Sequence, residues 1–369
     1  MLNKLLITNL RNIAQANLGF SSQLNLIVGK NGSGKTSLLE AIHYLATARS
    51  FRSHQISPLV TRGESESVVF GQIVNDSGRE IRAGVSRSLG GKREIRIDGE
   101  AVTKSSELAR LLPVLVLGPE TVDLLLGSPQ IRRKFLNWGV FHVKPSFTDE
   151  WDIANRCLKQ RNKLLKGGHS KQELEVWTQK LISAAEIIDV ARRDYYSKFV
   201  IALADLIEEL TEFGHEIQCE YMRGWDNKTD LATVFEQTLD GDMRRGFSQF
   251  GFHKADIKLK INNQPVTEVC SRGELKMLAW AMVLTQGKIQ KETTNQSVLY
   301  LVDDLVSELD SDHRQLLCKN LFKMNAQIMA TGIDQKELEA SWNNKLAKVF
   351  HVKQGVLSAL TSTSSGELE

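Results

Sequence analysis

Hydrophobic and polar positions divide the chain into three textures. From residue 1 to about 120, short apolar runs alternate with turn residues: KLLITNLRNI, QLNLIVG, SVVFGQIVND, EIRAGVSRS, REIRIDG and LLPVLVLGPE. Such runs read as strands, and those between Ser67 and Gly99 lie close enough together to predict an antiparallel meander. From about 128 to 214, apolar residues recur at helical spacing in DEWDIANRCLKQRNKLLK and in the segment from Lys171 to Phe213, with Gly167-Gly168 between them. That pattern predicts an antiparallel helical pair too long to be a simple crossover. After about 215, strands return in HEIQCEYMRG and ADIKLKINNQPV, the second a hairpin turning at Asn262-Asn263. A helix from Gly273, a hydrophobic strand at 298–302, a helix near 311–323 and a strand QIMAT follow. The order predicts a discontinuous α/β core, residues 1–127 with 215–369, interrupted by a helical insertion at 128–214.

One junction in this pattern carries chemistry. The apolar run Leu24, Leu26, Ile27 and Val28 stops at Gly29, and Leu38, Leu39, Ile42 and Leu45 then recur at helical spacing. Between strand and helix stand Gly29, Lys30, Asn31, Gly32, Ser33, Gly34, Lys35 and Thr36, which satisfy G-x-x-x-x-G-K-[ST] in full. Glycines let successive backbone N–H groups turn inward as a nest for phosphate oxygens. The helix aims its unsatisfied N–H groups and positive dipole end at the same anion. Lys35 reaches the β- and γ-phosphates, and the Thr36 hydroxyl can ligate Mg²⁺.

A second strand completes the pattern. SVLYLVDDLVSELD carries the apolar run Val298 to Val302 into Asp303-Asp304. A carboxylate at the carboxyl end of a buried parallel strand can share a Mg²⁺ ion with Thr36, the role assigned to Asp303. Asp304 is placed to orient or deprotonate an attacking water; the plainer reading is that both acids cap the next segment. About thirty residues earlier, Ser271-Arg272-Gly273-Glu274 opens another helix. Ser271 and Glu274 have the spacing of a capping box. The same helix end offers a second anion site. Two γ-phosphate sites per chain make sense if each of two copies completes the other's pocket.

Composition narrows the picture. The hydrophobic share of 41% and charged share of 25% are those of a soluble globular protein. No apolar run reaches the ~18 residues of a membrane helix, and the N-terminus lacks a signal-peptide pattern, so a cytoplasmic protein with no membrane partner is expected. The four cysteines, Cys157, Cys219, Cys270 and Cys318, are scattered, which predicts reduced thiols rather than a zinc site. The tail from Ser358 reads as frayed. The net charge of +3 is unevenly placed: Gly127 to Val200 holds 14 Lys/Arg against 8 Asp/Glu, and Ile201 to Gly246 holds 4 against 11. A basic stretch of this kind suits a polyanion, or is simply a solvated helix face. Its candidates for contact with a polyanion's backbone are Arg132, Arg133, Lys134, Lys159, Arg161, Lys163 and Lys166. Arg49, Phe51 and Arg52, just after the P-loop helix, are further candidates, for such contact, for phosphate sensing or for a plain salt bridge. For a nucleic acid, the lack of an aromatic-interleaved strand speaks against single-strand stacking and favours a duplex.

The P-loop, the serine-glycine segment before the second acidic strand, and SELD just after it resemble an ABC-type ATPase head. Finer matches run in order along nearly the whole chain: NLRNI, ATARSFRSHQI, LGPETVDLLLGSPQIRRKFLNWGVFH, LKQRNKLLK, GFHKADIKLKINNQPV, SRGELKMLAWAMVLTQG and LVDDLVSELD. They are similar to the RecF family of bacterial recombination and gap-repair proteins. The resemblance implies an α/β fold: an ABC-type P-loop ATPase head with an antiparallel β subdomain and an inserted helical arm. It also implies that Arg11 and Asn12 touch the nucleotide and that Ser271, Gly273 and Glu274 meet the γ-phosphate across a dimer. Ser307 to Asp310 would form the D-loop. Family members bind ATP and DNA, dimerise with ATP, hydrolyse it slowly, and act with RecR and RecO to help RecA onto gapped DNA. ATP and Mg²⁺ are therefore the expected cofactors. The expected partners are duplex, gapped or junction DNA, a second copy, and RecR, with RecO and RecA.

The chain departs from the family pattern in places. Glu274 stands where many relatives have glutamine, Phe252 where proline is usual, and Asn137 where aspartate is expected. Gly118-Pro119-Glu120 occupies the likely position of the Q-loop glutamine, and Thr331 that of the switch histidine. Asp304 is one methylene shorter than the glutamate common in ABC ATPases, which predicts slow turnover. A transporter-type subunit, an SMC-like scaffold, and a protein holding ATP as a purely structural ligand are the rival readings.

Overall fold

Every second residue of Glu66–Val74 is buried, and this strand forms one antiparallel sheet with Leu2–Leu10, whose register shifts between Leu2 and Lys4, and with Glu80–Ser88. The computed structural model describes residues 1–52, 58–167, 170–210 and 216–359. The sheet has six strands, in the order Ile13–Gly19, Leu2–Leu10, Glu66–Val74, Glu80–Ser88, Arg93–Ile97 and Glu100–Ala101. Its last four strands are the expected meander. A second six-stranded sheet runs Val356–Ala359, Lys348–Lys353, Leu24–Val28, Gln327–Gly332, Leu299–Val302 and Val114–Leu117. It is parallel except for Val356–Ala359, and Leu24–Val28, Leu299–Val302 and Gln327–Gly332 are buried along their whole length, as strands covered on both faces must be.

The P-loop helix Lys35–Thr47 buries ten of its 13 residues. Leu38, Ile42 and Leu45 share one core with Leu5, Val69 and Val85 of the antiparallel sheet and with Ile27, Leu301 and Met329 of the parallel one. Buried Gln327 ties the sheets directly, accepting from Leu2 N–H and donating to Leu2 C=O, both at 2.8 Å. These elements make one compact unit, Met1–Thr121 with Gln290–Glu369.

The second compact unit is Val122–Ile289. It holds the helices Pro129–Val143, Phe147–Gly167 and Lys171–Leu210, together with Leu231–Arg245 and a small sheet of Ile217–Met222, Asp256–Ile261 and Gln264–Pro265. Compactness thus divides the chain elsewhere than the expected 127/128 and 214/215. The strands after 215 and the helix Leu231–Arg245 are fastened to the long helices. Tyr221 donates to Asp189 at 2.9 Å, Tyr196 to the Cys219 carbonyl, and Arg161 to Asp242 at 2.8 Å. Where Tyr195 seats on the helix Pro129–Val143 stands Gly139; a Cβ there would come within 2.1 Å of the ring. The Asn262-Asn263 hairpin is present, with both residues at positive φ (51° and 66°), as the tightest two-residue turn requires. Gly168 of the expected helix break, Ser53 to Gln55 of the RSFRSHQ stretch, and most of the tail lie outside the described residues.

Candidate nucleotide-binding site

The glycine-rich turn has the backbone its residues demand. Gly32 and Gly34 have φ of 74° and 120°, and a Cβ on Gly29 would come within 2.6 Å of the Val352 carbonyl and of Ser33 Oγ. Gly34 precedes the helix Lys35–Thr47, whose first turn has neither a side-chain cap nor an acidic residue, leaving its N–H groups for an anion. The turn is braced from behind: the Ser33 carbonyl accepts from Asn12 Nδ2 at 3.1 Å and from Gly355 N–H at 2.7 Å. Ser33 Oγ is buried with no hydrogen-bond partner among the described residues.

Lys35 folds its ammonium over the turn, donating to the Gly29 carbonyl at 2.8 Å and to the Lys30 carbonyl at 3.3 Å. Burial lowers its pKa, opposed by Asp304 and then Asp303. The turn therefore sets a desolvated cation beside uncapped helix N–H groups, an arrangement complementary to phosphate.

The acidic strand reaches the same place. Leu299–Val302 lies between Val114–Leu117 and Gln327–Gly332, and all three deliver their carboxyl ends to one edge of the sheet. Asp303 Oδ1 accepts from Thr36 Oγ1 at 3.1 Å and from Thr331 Oγ1 at 2.9 Å. The Thr331 hydroxyl also accepts from the Asp304 N–H at 2.8 Å. Asp304 is left-handed, φ 53° and ψ 41°, and its buried Oδ1 has no hydrogen-bond partner among the described residues. Burial raises the Asp303 pKa; the bonds from Thr331 and Thr36 oppose this and the Asp304 charge adds to it. Two carboxylates held together in a partly buried site favour a cation between them and the P-loop. Neighbouring ligands of an octahedral Mg²⁺ stand about 3 Å apart, so Thr36 and Asp303 fit as a pair.

Not every residue expected here points into the site. Asn12 braces the turn through its side chain. Arg11, at φ 55°, instead turns its guanidinium onto the fully buried Glu40, with bonds of 2.8 and 2.7 Å. Glu40 also accepts from Ser50 and lies 3.8 Å from Arg52. Arg52 is exposed, close enough to lower the Asp303 pKa slightly, and Arg49 is exposed too. Glu40 and Thr331 are site residues that the sequence reading gave no such part. Glu40 carried a signal, an acid set among the apolar residues Leu38, Leu39, Ala41 and Ile42.

Ser271, Arg272, Gly273 and Glu274 form an exposed end of the helix Arg272–Thr294. Both capping-box bonds are made, Glu274 Oε2 accepting from Ser271 N–H at 2.7 Å and Ser271 Oγ from Glu274 N–H at 3.3 Å. A Cβ at Gly273 would meet nothing within 4 Å among the described residues.

The basic candidates of the arm divide. Arg161 is fully buried, donating to Asp242, Ser248 and Thr178 at 2.8, 2.6 and 3.1 Å. Arg132 is clasped by Asp256 at 2.7 and 3.0 Å, and Arg133 donates to the Ala255 carbonyl at 3.0 Å. Lys134, Lys159, Lys163 and Lys166 are exposed. The structure therefore places three of these arginines in internal contacts, and only the lysines offer open charge to a polyanion.

Residues 1–358 match the family model of the RecF/RecN/SMC N terminal domain. The chain is 42% identical to the DNA replication and repair protein RecF of Shewanella denitrificans and 38% identical to that of Cellvibrio japonicus, over 97% of this chain and 99% of each relative. It is similar to a solved structure of the recombination mediator protein RecF-ATPrS in the RecFOR pathway, with 25% identity, a TM-score of 0.86 and 98% of both chains covered. An SmcHead structure bound to the C-winged helix domain of ScpA shares the fold at a TM-score of 0.60 and 15% identity, over 99% of this chain and 98% of that one.

Proposed function

The chain belongs to the RecF family of DNA replication and repair proteins, and from that premise we propose that it is an ATP-controlled DNA clamp of recombinational repair. ATP occupies the glycine-rich turn, with Lys35 turning from the Gly29 and Lys30 carbonyls to the phosphates. Thr36 and Asp303 would hold Mg²⁺, which when bound neutralises charge on the β- and γ-phosphates. The Ser271 helix end of a second copy meets the γ-phosphate, so two copies close when both hold ATP. Asp304, with one carboxylate oxygen buried and unpartnered among the described residues, orients or deprotonates the attacking water. Its short reach places that water poorly, and a misplacement of ~1 Å can cost roughly a hundredfold, so hydrolysis is slow.

The observation that carries this reading is the meeting of Thr36 and Asp303 at 3.1 Å, P-loop hydroxyl on acidic-strand carboxylate. Closure around DNA gathers backbone phosphates against the exposed arm lysines, giving salt-sensitive binding at duplex, gapped or junction DNA without base readout. RecR, with RecO and RecA, is the partner set that family membership suggests. Size-exclusion chromatography with ADP, ATP or a non-hydrolysable analogue, with and without duplex DNA, tests the proposal. A dimer confined to the triphosphate states and strengthened by DNA is expected; a size independent of nucleotide overturns it.

A further inference from the structure

The helix Leu231–Arg245 ends at Gly246, and the loop that follows displays unusual side chains. Met243, Phe247 and Phe250 are 50%, 42% and 38% exposed. Between residues 243 and 254 the chain carries Arg244, Arg245 and Lys254 and no acidic residue. Lys254 Nζ lies 5.8 Å from the centroid of the Phe247 ring.

These aromatics are not ends of a slack loop. Ser248, between them, is 1% exposed; its N–H donates to Asn162 Oδ1 at 2.8 Å, and its hydroxyl accepts from Arg161 at 2.6 Å. Gln249 donates its N–H and its side-chain amide to Asp242 Oδ1, each at 3.1 Å. His253 bonds the Ser248 carbonyl at 3.1 Å, and Gly251 N–H donates to the Gly224 carbonyl at 3.1 Å. The Arg161–Asp242 ion pair is thus the peg of the loop. A buried pair of this kind contributes little net stability compared with apolar packing, so its clearest effect is to hold one geometry. That geometry puts Ser248 inside and Phe247 and Phe250 outside.

We propose that Phe247 and Phe250, with Arg244, Arg245 and Lys254, form a binding site for single-stranded DNA. It rests on the DNA-binding reading above and adds a strand-specific contact to it. Flat rings exposed beside cations match unpaired bases, whose faces are open and whose phosphates follow at every step. Duplex DNA hides those faces, so the rings have nothing to stack on there. Three residues span at most about 10 Å, so neighbouring bases of one strand can use both rings. With the exposed arm lysines on duplex phosphates, the protein then has separate means of holding the two sides of a gap.

The test uses the full-length protein and fluorescence anisotropy with labelled oligothymidylate, a blunt duplex of equal length, and an abasic oligomer. Combining Phe247→Ala with Phe250→Ala should weaken oligothymidylate binding at least tenfold, since each ring removed takes a stacking partner from one base, and leave duplex affinity unchanged. Tryptophan at both positions should restore binding, and the abasic oligomer should bind wild type no more tightly than it binds the alanine pair. In Phe250→Trp, oligothymidylate should quench emission and the duplex should not, a readout that does not depend on the alanine pair folding. Equal losses on both DNAs, no loss on either, or silent emission with both overturns the proposal; no loss on either would leave the loop as a docking surface for protein. Wild type that binds oligothymidylate but never the duplex in response to ATP would instead count against the clamp.

Discussion

Thr36 Oγ1 lies 3.1 Å from Asp303 Oδ1, although 267 residues of chain separate them. The contact joins the first turn of the P-loop helix to the end of the acidic strand. If it marks a shared metal position, Asp303→Asn should reduce phosphate release at least a hundredfold while unfolding temperature changes little. A colorimetric phosphate assay beside a thermal melt checks both, and retained turnover would remove Asp303 from the site.

Lys35 and Asp304 should separate binding from release. Lys35→Met removes the cation that meets the phosphates and should abolish ATP-dependent dimerisation. Asp304→Asn should leave dimerisation intact and prolong it, because the γ-phosphate that bridges the copies is no longer removed. Two variants that both assemble and disassemble like wild type would contradict the sequence of events proposed.

Thr331 stands where the resemblance led one to look for a histidine, and its hydroxyl serves both acids: it donates to Asp303 and accepts from the Asp304 N–H. Thr331→Val deletes both bonds. Phosphate release should fall about 10–100-fold, the usual effect of losing an orienting partner, with nucleotide affinity nearly unchanged. The lost bond lowered the Asp303 pKa, so the acid limb of the pH–rate profile should move to higher pH. Thr331→Ser should retain both properties.

His253 supplies a pH test of the loop beneath the two phenylalanines. Burial lowers its pKa from 6.5 to about 4, so the fold holds it neutral. Since the folded value is the depressed one, its contribution is complete above pH 6.5 and is lost as pH falls towards 4. The full shift corresponds to about 3 kcal/mol. Denaturant midpoints should fall between pH 7 and 4.5 in wild type and fall less in His253→Gln; equal slopes would show that another group dominates.

Arg161 and Lys159 test the division of the basic candidates. Arg161→Met leaves Asp242 buried and uncompensated, which should cost about 3–5 kcal/mol of stability, partly recovered when Asp242→Leu is added. Lys159→Ala should leave stability alone and lower the salt dependence of duplex binding by about one ion. The reverse assignment of effects would return Arg161 to the DNA surface.

Legibility followed the range of the determining interactions. The P-loop, the acidic strand and the Ser271–Glu274 capping box are local patterns, and the structure forms each within a few residues of where the spacing put it. The helix expected near 311–323 runs Ser311–Lys323, started by the Asp310 cap. Arg161 was read as surface charge because its partners lie 17 to 87 residues away. A signal did exist: it falls on the helical stripe of Ala154, Cys157 and Leu165, all buried. Arg11 escaped for the same reason, since Glu40 is reached only once the first sheet packs on the P-loop helix. The strands Lys348–Lys353 and Val356–Ala359 were not foreseen either. The first is placed by its parallel pairing with Leu24–Val28, which nothing in its own residues announces.

The claim that two copies share the nucleotide is tested most directly by sedimentation velocity of Ser271→Arg with a non-hydrolysable ATP analogue. Ser271 is exposed, and its substitution leaves the P-loop of the same chain intact. The variant should bind the analogue with the affinity of the wild-type monomer, measured at protein concentrations too low for dimers, and sediment as a monomer at concentrations where wild type becomes a dimer. A Ser271→Arg protein that dimerises with the analogue as wild type does would contradict the shared pocket.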